Sequence, residues 1–306
     1  MPRLKKIAVV GVGLIGASLA AALKKYLENV KVLAVDKDKE VIKKAEKLKI
    51  IDRGYTEIAA NLNEAELVFI AVPVAKIGAV VEELADPSLK SQLIVDAGST
   101  KKAVMLEARE ILKNSSQRFI GGHPMAGSHK SGIDWHQADL FLDAPFILTP
   151  VIENSGGKAL NQSQSETEIL SSLSSREKKD LETLKEIIEK IGAKSYLMSA
   201  ESHDCRTAFV SHLPHLLSSG LVNLIAQQQN RSEFLELAGS GFEDMTRIAG
   251  GSPELWQDII LSNRENIIKA LREYQQLLEE IKSSLEADEQ QKLYNFLARA
   301  AEIKKN

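Results

Sequence analysis

Short apolar runs alternate with longer amphipathic stretches along the first two-thirds of the chain. Ile7-Ala8-Val9-Val10, Val32-Leu33-Ala34-Val35, Leu67-Val68-Phe69-Ile70-Ala71-Val72 and Leu93-Ile94-Val95 are apolar at consecutive positions. Runs without polar alternation fit strands covered on both faces, as in a parallel sheet. Between them, Ala17 to Leu23, then 38–49, 77–84 and 101–113, carry helical spacing. Phe119-Ile120, 144–149 and 194–198 read as further strands. A helix over 181–191 closes at Gly192, a C-cap. The alternation predicts an α/β architecture, a doubly wound and mostly parallel sheet of Rossmann type.

After residue 199 the strand signal vanishes. Apolar periodicity over 208–225, 253–285 and 290–303 predicts an all-helical second half. Ser252-Pro253-Glu254 supplies one helix start: an N-cap, a proline at the first helical position, an acid in the first turn. The expected division is 1–199 and 200–306. The helical half carries more apolar surface than it can cover alone, so a homodimer through it is expected. Residues 152–176 are rich in Ser, Asn, Gln and Glu and read as a mobile surface excursion without chemistry.

Composition changes the picture in three places. With 306 residues, 44% of them hydrophobic, the chain can bury a substantial core. A net charge of −3 gives no electrostatic footprint for nucleic acid or membrane. The single cysteine, Cys205, excludes an intramolecular disulfide, and a cytoplasmic location is expected. The N-terminal apolar stretch, broken by glycines, is too short for a signal peptide or a span.

The first candidate chemistry is Gly11-Val12-Gly13-Leu14-Ile15-Gly16, set between a strand and a helix. Gly11 permits the tight turn, Gly13 lets backbone approach a pyrophosphate, and Gly16 lets helix pack close to strand. The helix N-terminus offers free N–H groups to the phosphates. Asp36 ends the second strand, twenty residues after Gly16. It can bond ribose hydroxyls and would repel a 2′-phosphate, which favours NAD over NADP. Lys37 and Lys39 moderate that preference. Val72 and Pro73 open a loop on the cofactor side.

The second candidate is Gly121-Gly122-His123-Pro124-Met125-Ala126-Gly127. A histidine before proline is biased to extended backbone, and the glycines leave room beside a ligand. His123 reads as a proton acceptor, with a structural histidine as the alternative. Ser99 lies at a strand end, as a helix N-cap or a site hydroxyl. Trp135 and His136 read as packing and surface. In the helical half, His203, His212 and His215 fall close together. His212 and His215 share a helix face, and Pro214 should bend that helix. Core histidines and a metal site are the alternatives, but the set lacks the spacing and companion ligands of a zinc site. Arg247, in a small-residue setting, suits bidentate carboxylate binding, with a salt bridge to Asp244 as its alternative. Trp256 and Arg264 could line the same face of the next helix.

These pieces together resemble the prephenate dehydrogenase family over nearly the whole chain. The similarity is carried by Gly11 to Gly16, Asp96-Ala97-Gly98-Ser99-Thr100-Lys101 and Gly121 to Gly127. It continues through Ser211-His212-Leu213-Pro214-His215, Thr246-Arg247-Ile248-Ala249 and Pro253-Glu254-Leu255-Trp256. The resemblance implies oxidative decarboxylation of prephenate to 4-hydroxyphenylpyruvate with reduction of NAD, a step of tyrosine biosynthesis. It implies that His123 draws off the ring hydroxyl proton and that Ser99 orients that hydroxyl and the nicotinamide. It further implies Arg247 on a substrate carboxylate and His212, His215, His203 and Trp256 around the side chain. A neighbouring subunit would contribute a residue to the pocket. His129 departs from the acidic or small polar residue expected there, and no fused regulatory or mutase domain is expected. An arogenate dehydrogenase is the nearest rival; a β-hydroxyacid dehydrogenase and a non-catalytic NAD-sensing protein are remoter. An unperturbed histidine would place the acid limb of turnover at roughly pH 6.5.

Overall fold

In the computed structural model, which describes residues 4–128, 130–150 and 165–305, the apolar runs form one eight-stranded sheet. The chain runs β1 (Lys6–Val10), α1 (Leu14–Tyr26), β2 (Lys31–Val35), α2 (Lys39–Lys47) and β3 (Arg53–Tyr55). It continues β4 (Leu67–Ile70), α3 (Ile77–Leu84), β5 (Leu93–Asp96), α4 (Lys102–Leu112) and β6 (Arg118–Pro124). Then come β7 (Pro145–Pro150), α5 (Glu166–Ser172), α6 (Ser175–Lys190) and β8 (Lys194–Leu197). The strand order is β3-β2-β1-β4-β5-β6-β7-β8. Every neighbouring pair is parallel except β6 and β7.

The sheet is covered on both faces, which explains why its central strands show no polar alternation. Ile7 and Val9 of β1 join Phe69, Val95, Leu19, Leu23, Leu184 and Ile188 in one core. Ala8 and Val10 join Val68, Ile70, Ile94, Val80, Val81 and Val104 in the other. Successive side chains point to opposite faces, so one buried strand feeds both cores. β3 has no counterpart in the sequence reading. It is three residues long, carries Arg53 and Tyr55, buries none of its residues and occupies the sheet edge.

The polar stretch from 152 to 176 is partly corrected. Residues 151–164 lie outside the described residues, as does His129. From 165 onward the chain is helical rather than an irregular excursion. Ser165 with Glu168 and Ser174 with Glu177 form two capping boxes, opening α5 and α6. Ile169 and Leu173 are both buried, and Leu173 belongs to the core on one face of the sheet. Ser165, Glu168, Ser174 and Glu177, part of what makes the stretch polar, are helix-start residues.

Beyond β8 the described residues form helices α7 (Ala200–Thr207) and α8 (Leu213–Ala226), joined by a π-helical turn, Ala208–His212. There follow α9 (Arg231–Glu236), α10 (Ser240–Thr246), α11 (Pro253–Ser262), α12 (Arg264–Glu286) and α13 (Gln290–Lys305). Pro214 follows the π turn inside a helical run that is continuous from Ala200 to Ala226, and its missing N–H fits the change of register there. One expectation changes here. The periodic run 253–285 breaks at Asn263, which separates α11 from α12 and puts Trp256 and Arg264 on different helices.

The helical half leaves much apolar surface bare. α9, α10 and α13 bury no residue. Leu237, Met245, Leu261, Leu285, Tyr294, Leu297 and Ile303 are all more than half exposed. The stretch Ala200–Ala226 is long and apolar enough, by length and composition, to cross a membrane. It also carries His203, Asp204, His212 and His215, all buried within the protein.

Candidate active site

All strands from β3 to β6 run parallel, so their C-terminal ends share one edge of the sheet. Ligands of open α/β sheets bind at that edge. Gly11 leaves β1 with φ +89°, and a Cβ there would lie 2.6 Å from the Ala71 carbonyl oxygen. A Cβ on Gly16 would lie 1.8 Å from the Gly11 carbonyl oxygen. The turn is therefore folded tightly onto the end of β4. Gly13, by contrast, has open space around its Cβ position. It is also the N-cap of α1 and offers no side chain to the first N–H groups, which stay free for an anion. Val12 and Leu14 are buried, Ile15 is half-buried, and Val72 lies against Gly11, with Pro73 exposed next to it in the chain.

Asp36 ties the turn to β2. Its carboxylate accepts from the Val12 N–H at 2.8 Å and from the Asp38 N–H at 3.0 Å. Each oxygen keeps a further lone pair for a ribose hydroxyl. The open backbone at Gly13 and the acid beside it fit a dinucleotide without a 2′-phosphate. Asp36→Ser should raise the ratio of kcat/KM with NADP to that with NAD. An unchanged ratio would assign the preference to another group.

At the same edge, β6 ends in His123 and Pro124. The glycines before it do not make room for a ligand, as the sequence reading expected. A Cβ on Gly121 would meet Thr149 Oγ1 at 2.2 Å, and one on Gly122 would meet the Asp96 carbonyl at 2.4 Å. They let β6 pass close to its protein neighbours; only Gly127 faces open space. Beneath them, Asp96 and Lys101 form a fully buried ion pair. Asp96 also accepts from the N–H groups of Gly98 at 2.9 Å and Gly122 at 3.0 Å. A buried charge pair needs such extra bonds to offset its desolvation.

His123 is 9% exposed, and its Nδ1 lies 2.8 Å from Nε2 of His203. His203 Nδ1 lies 2.7 Å from Asp204 Oδ1. Asp204 in turn accepts from the backbone N–H groups of Lys101 at 2.7 Å and Lys102 at 2.9 Å. A carboxylate from α7 thus caps α4. That corrects the expectation for Ser99 as an N-cap: Lys101 holds that position. The half-buried Ser99 hydroxyl has no hydrogen-bond partner among the described residues. His203 is corrected as well. Expected against substrate, it is fully buried with both ring nitrogens engaged, behind His123.

Burial pushes the His123 pKa well below its ordinary value, helped by His203, Lys101 and His212. Burial also lowers the His203 pKa, against the pull of Asp204. Both rings are therefore neutral at neutral pH. A base with a depressed pKa stays unprotonated further into acid. The acid limb of kcat/KM should accordingly lie well below the 6.5 of a free histidine, with the profile flat through that pH. A limb centred near 6.5 would place the working base in a more solvated setting.

A second polar set lies on α8 and the π turn before it. Asn263 donates from Nδ2 to the Asp204 carbonyl at 2.7 Å and to His212 Nδ1 at 3.1 Å. The reverse amide orientation would set two acceptors together, so His212 Nδ1 is the acceptor here. Burial lowers the His212 pKa to about 4, and the neutral ring then carries its proton on Nε2. That Nε2, His215 Nδ1 and Ser218 Oγ are buried without partners among the described residues. His215 stacks on Trp256 with centroids 3.5 Å apart and a 9° interplanar angle. The π register before α8 is a common companion of functional sites.

Arg247 opens the 3₁₀ turn Arg247–Gly250, which packs against α8. Gly251, just after it, approaches Trp256 and His215 so closely that a Cβ would meet them at 2.7 and 3.3 Å. Arg247 is exposed and has no ion-pair partner among the described residues, so the expected alternative with Asp244 is absent. No metal-ligating cluster occurs among the described residues.

Residues 19–168 match the family model described as the prephenate dehydrogenase nucleotide-binding domain. Residues 199–299 match the prephenate dehydrogenase dimerization domain. The chain belongs to the prephenate dehydrogenase family. As a member of it, the chain is an NAD-dependent oxidoreductase. It is 33% identical to the prephenate dehydrogenase of Bacillus subtilis over 300 residues, 97% of this chain and 75% of that one. The solved prephenate dehydrogenase of Aquifex aeolicus, in complex with hydroxyphenyl propionate and NAD+, superposes with a TM-score of 0.83. It is 30% identical, with 99% of this chain and 97% of that chain covered. The Synechocystis arogenate dehydrogenase superposes with a TM-score of 0.75 at 30% identity, covering 96% of each chain.

Neither Asp204 nor Asn263 stood out in the sequence, and Asp96 and Lys101 were named there only as the ends of a motif shared with the prephenate dehydrogenase family. Asp204 and Asn263 tie the histidines together, and Asp96 and Lys101 brace the strand beneath. One signal was legible: a His-Asp pair at 203–204 inside a largely apolar stretch.

Proposed function

We propose that the enzyme oxidatively decarboxylates prephenate to 4-hydroxyphenylpyruvate in tyrosine biosynthesis, with His123 as the base. The observation that carries this reading is the hydrogen-bonding state of His123. Its Nδ1 is engaged by His203, while its Nε2 has no partner among the described residues. A neutral imidazole at the same C-terminal edge of the sheet as the nucleotide turn suits abstraction of a hydroxyl proton. NAD, when bound, accepts the hydride from the carbon that bears that hydroxyl. His123 Nε2 would take the hydroxyl proton as the hydride leaves. The electron pair of the breaking C–CO2 bond would enter the ring as carbon dioxide departs, and the proton would return to the resulting phenolate oxygen, giving the aromatic hydroxyl of the product. Gly11, Gly13 and Asp36 would hold the cofactor.

Ser99 would orient the reacting hydroxyl, and Arg247 would hold a substrate carboxylate. His215 and Trp256 would form an apolar wall of the pocket. His212 Nε2–H, buried without a partner among the described residues, would serve that pocket as a donor. Such a donor suits the keto oxygen or a carboxylate and is a poor neighbour for an ammonium group. That supports prephenate over arogenate, whose side chain carries an ammonium where prephenate carries a keto group. The Synechocystis relative supports arogenate as the second reading.

The bare apolar faces of α8 to α13 and the dimerization-domain match support a homodimer. The nucleotide-binding part would extend to about residue 199, and the protein would work in the cytoplasm. One assay tests the reading: prephenate and arogenate, each with NAD and with NADP, followed by absorbance of the reduced cofactor. Turnover of prephenate with NAD is expected to dominate. Faster turnover of arogenate would reverse the substrate assignment, and no turnover of either would leave a nucleotide-binding protein without this chemistry.

A further inference from the structure

We propose that Asp204 and His203 are positioning residues that set the tautomer of His123, making Nε2 its proton-accepting nitrogen. The proposal rests on the reading of His123 as the base. It begins with donors that cannot change role. The backbone N–H groups of Lys101 and Lys102 can only donate, and they point at the two Asp204 oxygens, 2.7 and 2.9 Å away. The carboxylate is therefore anchored as an acceptor.

His203 Nδ1, 2.7 Å from the same oxygen, must then carry a hydrogen. A neutral His203 has only one, so its Nε2 is a bare lone pair. His123 Nδ1, 2.8 Å from that lone pair, must be the donor in its turn. A neutral His123 likewise has one hydrogen, which leaves Nε2 bare. Each step follows from the number of protons on a neutral imidazole. The order of the bonds thus runs from two helix N–H groups to the reacting nitrogen, across residues more than 100 positions apart. The arrangement also uses the start of α4, the helix that follows Ser99. Its N-terminus and the base are held by one carboxylate.

Two substitutions separate polarity from packing. Asp204→Asn keeps the shape but turns one oxygen into a donor. If the amide nitrogen faces His203, it reverses both tautomers and protonates Nε2 of His123. If it faces α4, it sets donor against donor and loosens the carboxamide. Because Asp204→Asn also removes a helix cap and can fail to fold, His203 supplies the second pair. His203→Gln can still donate to Asp204 and accept from His123, whereas His203→Leu can do neither.

The test measures kcat, KM for both ligands, thermal midpoint and the ring-nitrogen shifts of ¹⁵N-histidine-labelled full-length enzyme. Folded Asp204→Asn should lose about 100-fold or more in kcat, the usual worth of a working general base, with little change in KM for NAD. His203→Leu should fall as far, while His203→Gln should recover at least tenfold over His203→Leu at a similar thermal midpoint. The wild-type spectrum should show His123 protonated at Nδ1. Equal activity of the Gln and Leu variants, near-normal kcat in a folded Asp204→Asn whose His123 is protonated at Nε2, or a wild-type His123 protonated at Nε2 would each overturn the proposal. His123→Asn separates the two readings. If it stays active, the base assignment fails; if it alone is inactive, only the relay fails.

Discussion

Replacing His123 with Asn should lower kcat by about 10²- to 10⁴-fold, the range spanned by positioned general bases. Binding of NAD should change little, because the glycine turn and Asp36 make no contact with this ring. The amide is smaller, cannot take up a proton at neutral pH and loses the span to His203. The check is steady-state kinetics with prephenate together with a direct titration of NAD. A variant retaining more than about a tenth of wild-type kcat would remove His123 from the chemistry. A variant that lost NAD binding as well would point to collapse of the sheet edge. The end of β6 lies close to the buried Asp96–Lys101 pair, so the thermal midpoint belongs in the same experiment.

Arg247→Gln is expected to act on a different constant. The guanidinium is exposed, without an ion-pair partner among the described residues, and its turn packs against the helix that carries His215. If it holds a carboxylate, its loss removes a charge-assisted hydrogen bond of about 1.5–3 kcal/mol, or roughly 10- to 150-fold in affinity. That interaction is the same in ground and transition states, so KM for substrate should rise while kcat stays close to wild type. KM for NAD should not move. An unchanged KM for substrate would take Arg247 out of the pocket. A large fall in kcat at constant KM would give it a part in the reacting centre.

The parts of this enzyme that were legible in its sequence are those whose geometry is local. A run of apolar residues declares a strand covered on both sides, and the glycine turn after β1 declares its own shape. His123 stood out because a histidine between two glycines and a proline cannot be absorbed into a helix. β3 was not legible, because three residues with Arg53 and Tyr55 among them carry no pattern of burial. Helix α5 and the first turns of α6 were hidden by their caps, since Ser165 and Ser174 with their glutamates imitate an irregular polar tract. Asp204 was missed for another reason. Its partners are 102 and 103 positions away, and nothing in its own neighbourhood says which backbone groups it will meet. Asn263 likewise meets His212 and Asp204 only after the chain has turned twice.

The bonds that cross between the sheet half and the helices sit almost on top of the proposed reacting centre. Asp204 holds the start of α4, and Thr100 shares a 3.0 Å hydrogen bond with Ser262 at the end of α11. Two halves stitched together there cannot swing apart like jaws without dismantling the imidazole chain itself. Any opening of the cleft that parts the two halves at this point would break the hydrogen bonds that hold Asp204 and, through it, the two rings.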